Sequence, residues 1–176
     1  NQAQNAADEL LSLTASCLKE TQSIRRVEAQ LMPFNGLNLT PAFMKHGFSH
    51  TERYYLELDL SYHRKKVELP APTKIVPWDS ALLERAADMT LLSYQEQADA
   101  EICEDYRTRT GCEGYLRSLV ESPGCGLFMP ETSFIALDWE GAPCGYIICC
   151  RIAGSAAIIP QIAVHPSHQG KRLGNI

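Results

Sequence analysis

The sequence predicts an α/β chain in the α+β sense, and three observations predict it. Apolar residues recur at helical spacing in some segments, alternate or run in strand-length blocks in others, and turn residues separate the two kinds. At 176 residues and 45% hydrophobic content, the chain suits one compact domain with a sizeable core.

Residues 2–20 place Ala3, Ala6, Ala7, Leu10, Leu11, Leu13, Cys17 and Leu18 mostly on one stripe, which predicts an amphipathic helix without an evident N-cap. Ile24, Val27, Ala29 and Leu31 partly alternate, predicting a strand over 24–31 that closes at residues 32–35. Thr40 as N-cap, Pro41 at the first helical position and Gly47 past the end delimit a short helix over 41–46. Phe48 opens a strand, and Tyr54, Leu56, Leu58 and Leu60 alternate with Arg53, Tyr55, Glu57 and Asp59 as a half-buried strand does. Residues 61–73, polar, basic and rich in proline, read as a linker between a segment 1–60 and a segment 74–176.

The second segment opens with a short strand over 74–77. Asp79 caps the helix that follows, Trp78 and Leu83 are spaced for a hydrophobic staple, and Leu82, Ala86 and Met89 form its inner face. Thr110 and Glu113 make a capping-box pattern ahead of Tyr115, Leu116, Leu119 and Val120, and Pro123-Gly124 ends that helix. The charged loop over 99–109 is a candidate entry for an amine. Residues 133–139, the turn 140–142 and residues 144–152 predict a hairpin, and Gly154-Ser155 turns the chain into a last strand over 156–164. Pro160 within that strand predicts a bulge that exposes backbone just before Ile162.

A net charge of -5 argues against a nucleic-acid partner. Of the basic clusters at Arg25-Arg26, His63-Arg64-Lys65-Lys66 and Lys171-Arg172, only the last lies in a loop suited to an anion. Seven cysteines, odd in number and without a CxxC pair, favour a reducing cytoplasm over a disulfide framework or a metal site. No apolar run reaches the roughly 20 residues of a membrane span, and no signal peptide opens the chain. The expectation is a cytoplasmic protein with no metal and no membrane partner.

Residues 156–176 carry the chemistry. An apolar strand empties into Gln169, Gly170, Lys171, Arg172, Leu173, Gly174 and Asn175, where unpaired N–H groups and two cations favour phosphate oxygens. Ile162-Ala163-Val164-His165-Pro166, with Gln169 and Gly174, resembles the acyl-coenzyme A signature of the GNAT superfamily of N-acetyltransferases. Arg172 stands where that family has its middle glycine. Asn35, and Gly47-Phe48 after a short helix, resemble the second half of the same superfamily. The resemblance implies a mixed, mostly antiparallel central sheet with helices on both faces, its two halves in inverted order. A circular permutation, a fragment cut across a tandem pair, and a numbering that departs from biosynthetic order all fit that order.

The resemblance further implies acetyl-CoA as co-substrate, bound by the backbone of Ile162, Ala163 and Val164 and by the loop 169–175, with Asn35 and Phe43 in the cofactor site. Phe43 occupies the place of the family's acidic tyrosine, and Pro160 or Gln161 that of its base; none of them titrates usefully. Glu28 is the candidate base and Tyr54 the candidate acid, with Tyr55, His46 and His50 as alternatives for the acid, although water can carry the proton. The implied function is transfer of an acetyl group from acetyl-CoA to a primary amine of a small molecule or peptide by direct attack. The alternative is a catalytically weak or inactive acyl-CoA-binding regulatory module. A homodimer formed by exchange of halves is compatible with the inverted order.

Overall fold

The computed structural model describes residues 2–31, 38–61 and 74–173. It comprises two compact units, Asn1–Tyr62 and His63–Ile176.

In the first unit, helix α1 (Gln2–Glu20) turns a half-buried stripe of Ala7, Asp8, Leu11, Ala15 and Leu18 inward, and the short helix α2 (Thr40–Lys45) packs against it. Pro41 lies in the first turn of α2 as expected. The chain leaves that helix at Gly47, whose φ of +87° suits a residue without Cβ. Thr40 is not the cap: Leu39 holds that position, and the Asn38 side chain accepts from the Thr40 amide at 3.0 Å, an Asx turn that displaces the expected arrangement. The predicted strands over 24–31 and 48–60 do not form. Alternation marks a strand only where a neighbour supplies ladder bonds, and the described residues of this unit supply none. Nor is any described residue of the unit buried. The linker, apart from Ser61, lies outside the described residues.

The second unit is α+β, with an antiparallel sheet of β1 (Lys74–Pro77), β2 (Leu127–Phe128), β3 (Phe134–Leu137), β4 (Pro143–Ala153) and β5 (Ala156–Val164). The long β4 is its axis. β3 and β2 pair along successive parts of one side, β1 extends β3, and β5 takes the other side. Helices α3 (Leu83–Tyr94) and α5 (Arg109–Glu121) cover one face, where Leu83, Ala86, Met89, Leu116 and Leu119 close on Ile135, Tyr146, Ile148 and Cys150. Burying each leucine, isoleucine or methionine side chain among them stabilises the fold by roughly 1.5–3 kcal/mol.

Asp79 does not cap the first of these helices itself: it caps a 3-10 turn over Ser80–Leu82 that leads into it, accepting from the Ala81 amide at 2.8 Å, and Leu82 holds the N-cap position of α3 without a side-chain bond. The second is capped by Thr108, whose hydroxyl accepts from Gly111 N–H at 3.0 Å; Thr110 already lies inside the helix. The extended backbone of Thr108 aims its oxygen along the helix axis, and Glu113 is taken instead by Arg109 and Arg117. The charged loop between the helices is folded, as α4 (Ala98–Ile102) and a 3-10 turn over Glu104–Arg107, with the Arg107 guanidinium donating to the carbonyls of Ala100 and Glu101.

Candidate functional site

Strand β5 carries the predicted bulge. Gln161 lies opposite Ile148 and Ile158 opposite Cys150, so Ile159 and Pro160 together face Cys149. Proline brings no N–H to this irregularity. Beyond it, Gln161 and Ala163 direct their backbone groups toward β4, as does His165, whose N–H donates to Cys144 O at 2.9 Å. Pro160, Ile162 and Val164 therefore direct theirs away from β4.

The outward carbonyls are occupied. Tyr115 Oη donates to Pro160 O at 3.4 Å and Tyr94 Oη to Ile162 O at 2.9 Å, while Val164 O accepts from Gln169 Nε2 at 3.0 Å and shares the single Ser93 hydroxyl proton, at 3.0 Å, with Met89 O at 2.8 Å. What remains on this edge is a pair of donors, the N–H groups of Ile162 and Val164. The tyrosines belong to one cluster: Tyr94 stacks on Tyr106 at 4.3 Å, and Tyr115 meets Tyr106 edge-on at 5.5 Å. Burial pushes the Tyr106 and Tyr115 hydroxyls up, so both remain protonated donors at neutral pH. Tyr106 Oη donates to Oε1 of the buried Gln161 at 2.8 Å. Gln161 Nε2 lies near the Tyr146 hydroxyl, short of hydrogen-bonding geometry, and has no partner among the described residues.

The loop begins with a 3-10 turn over Pro166–His168, in which His165 Nδ1 accepts from the Ser167 amide at 3.2 Å and the Ser167 hydroxyl lies 2.9 Å from His168 Nδ1. Two left-handed residues follow, Gly170 at φ +71° and Arg172 at φ +66°. Gln169, Gly170, Lys171 and Arg172 are exposed, whereas Leu173 is buried against Ala136 and Cys144. A Cβ on Gly145 would stand 3.1 Å from Leu173 Cδ2 and 3.3 Å from Ala163 O, so glycine lets the loop anchor approach the sheet. The loop is thus pinned at one end by the Gln169 amide on β5 and at the other by Leu173. Gly174 and Asn175 lie outside the described residues, as does Asn35.

The remaining candidates belong to the first unit. Phe43 packs edge-on against Phe48 at 5.1 Å. Glu28 is exposed and pairs with Arg26 at 2.8 Å, and Tyr54 is 97% exposed. Neither Glu28 nor Tyr54 sits in the strand expected for it. Asp8 clasps α1 to α2, bonding Lys45 Nζ and, at 2.7 Å, His46 Nε2; those two partners hold its carboxyl below the ordinary value of 3.8. Sequence reasoning missed this clasp because no local spacing links residues 38 apart. It also missed Ser93, Tyr94 and Tyr106, although Ser93-Tyr94 at the end of an apolar helical stripe is a legible sign of polar groups turned inward.

Among the described residues, no cluster of His, Cys, Asp or Glu is disposed to hold a metal, and no helix is long and apolar enough to cross a membrane. The seven cysteines are free thiols. No family model matches the chain, and no curated protein matches it. A solved structure titled histone acetyltransferase HPA2 and related acetyltransferase, from Corynebacterium glutamicum ATCC 13032, is similar over 58% of this chain and 66% of its own length, just under two thirds. The identity is 13% and the TM-score 0.41, a coarse likeness of backbone build.

Proposed function

We propose that the protein is a GNAT-type N-acyltransferase that uses acetyl-CoA to acetylate a primary amine of a small molecule or peptide by direct attack. The observation that carries the reading is the donor edge of β5, running without interruption into an exposed loop that bears Lys171 and Arg172. Ile162 N–H and Val164 N–H, about 6.7 Å apart along a strand, suit the carbonyl acceptors of an extended pantetheine arm. The amides of residues 170–173 and the two cations suit its pyrophosphate, the Gln169 N–H being taken by the Pro166 carbonyl at 3.2 Å. Acetyl-CoA would supply the activated acetyl group; the chain would align it, and the thioester oxygen would gain charge beside backbone donors.

Glu28 and Tyr54 remain the proposed base and acid, with water as the link where either is distant. Glu96, Asp99, Glu101, Glu104 and Asp105 lie in the charged segment through which the amine would enter, and two of them, Glu96 and Glu101, line an open recess there together with Arg107. The two units would together make up one domain with its halves in inverted order, closed within a chain or by exchange between two.

Calorimetric titration with acetyl-CoA, followed by thiol release over a panel of amines, tests the reading. Micromolar binding that Lys171→Glu weakens several-fold, together with amine-dependent thiol release, is the expected result. No binding at millimolar coenzyme contradicts it.

A further inference from the structure

We propose that Gln161 is a positioning residue: its buried side-chain amide, set between Tyr106 and Tyr146, ties the charged segment 99–109 to β5 and must be a neutral amide to do so.

Within that segment only Ala100 and Tyr106 are buried, and Tyr106 is the anchor. Its ring lies on Tyr94 and meets Tyr115 edge-on, and its hydroxyl gives its single proton to Gln161 Oε1 at 2.8 Å. The protons on the other side of the amide are ordered from α3. Thr90 Oγ1 donates to Ala86 O at 2.7 Å, so it accepts from the Tyr146 hydroxyl at 2.8 Å. The Tyr146 oxygen is left with lone pairs toward the nearby Gln161 Nε2, and lone pairs suit an N–H rather than a carbonyl or a carboxylate. One end of the side chain must accept and the other must donate. At 4% exposure, solvent does not relieve a mismatch at either end.

Tyr94 from α3, Tyr115 from α5 and Cys103 ahead of the 3-10 turn are the titratable groups that bear on these two tyrosines, and none of them offers a positive charge to a carboxylate at position 161. A protonated carboxyl there would reproduce the amide, accepting from Tyr106 through its carbonyl and donating to Tyr146 through its hydroxyl. Burial would raise that carboxyl above the ordinary value of about 4.3, so the folded variant would hold a proton that the unfolded chain releases. Its stability relative to the parent is kept below the ordinary value and lost as pH rises through the raised one. The tie rests on the hydrogen bonds; that it positions the entry of an amine rests on the proposed acyltransferase reading.

Residue-resolved amide exchange over 99–109 in the full chain, each variant compared with the parent at the same pH, reads the tie. Tyr106→Phe keeps the ring stack, removes the bond to Gln161 and should lower protection of the segment on the order of tenfold. Gln161→Glu should match the parent within about twofold at pH 4 and fall on the order of tenfold below it at pH 8. Gln161→Leu, lacking both groups, should show the loss at both pH values. In an amine-dependent assay, Tyr106→Phe should raise KM for the amine several-fold and leave acetyl-CoA affinity within about twofold. Unchanged exchange over 99–109 in Tyr106→Phe overturns the proposal, as does a Gln161→Glu chain affected equally at pH 4 and pH 8. Absence of amine-dependent turnover in the parent, with the exchange results as expected, removes the amine from the inference and leaves the tie.

Discussion

Arg172 holds a φ of +66°, the left-handed region that costs a residue with a Cβ roughly 1–2 kcal/mol. Glycine there would remove that strain while adding about 0.5–1 kcal/mol of backbone entropy to be lost on folding. Arg172→Gly should therefore raise stability by up to about 1 kcal/mol, read as a higher urea midpoint at constant slope. Arg172→Val, β-branched, should lower it. The departure from the family pattern was legible in sequence; the torsion that gives it a cost was not, since it follows from Leu173 being anchored on the sheet one residue later. The thiols also divide by environment. Burial, and then Asp105, push Cys112 up to about 11, and Cys144 and Cys150 are raised by burial as well, whereas Cys17 and Cys125 are exposed. At pH 8 an alkylating reagent should label Cys17 and Cys125 rapidly and the three buried thiols only in denaturant; mass spectrometry of timed digests reads the order.

Elements were legible where the local signal and the packing agreed. The hairpin and the bulge at Pro160 each rest on residues adjacent in sequence, and each formed as expected, whereas Asp79 caps a 3-10 turn one step ahead of α3. Thr108 shows where local pattern misleads: two threonines compete for the start of α5, and the choice falls to the one whose extended backbone follows the 3-10 turn. Thr108→Ala should cost about 1 kcal/mol and Thr110→Ala only a few tenths, compared by thermal unfolding. The pair of helices in the first unit is held by charge. The Asp8 carboxyl is kept below 3.8 by Lys45 and His46, so its contribution is complete above that value and fades as pH falls through the lower folded value. The α1–α2 contact should be insensitive to Asp8 titration between pH 5 and 8 and loosen below about pH 4, followed by helical circular dichroism. Asp8→Asn should remove that acid limb and weaken the pair throughout. The alternating stretches over 24–31 and 48–60 failed as strands because periodicity describes a face, while a strand also needs an edge to pair with.

At the scale of the molecule, the inverted order of the halves and their closure are both proposals, and two strands that the order counts on, over 24–31 and 48–60, do not form. No described residue of the first unit is buried, so it has little of its own to drive folding. A chain of residues 1–62 should accordingly show no cooperative unfolding by itself and gain it when mixed with residues 74–176. Two pieces that ignore one another in sedimentation and circular dichroism would contradict the single-domain proposal. The central claim concerns β5 and its loop, and titration of acetyl-CoA into the isotope-labelled full chain, followed at each backbone amide, tests it most directly. The account predicts that Ile162, Val164 and the amides of 170–173 move together and saturate at one affinity, while Gln161 and Ala163, bonded to β4, move far less. Shifts confined to other parts of the chain, or none at millimolar coenzyme, would contradict it.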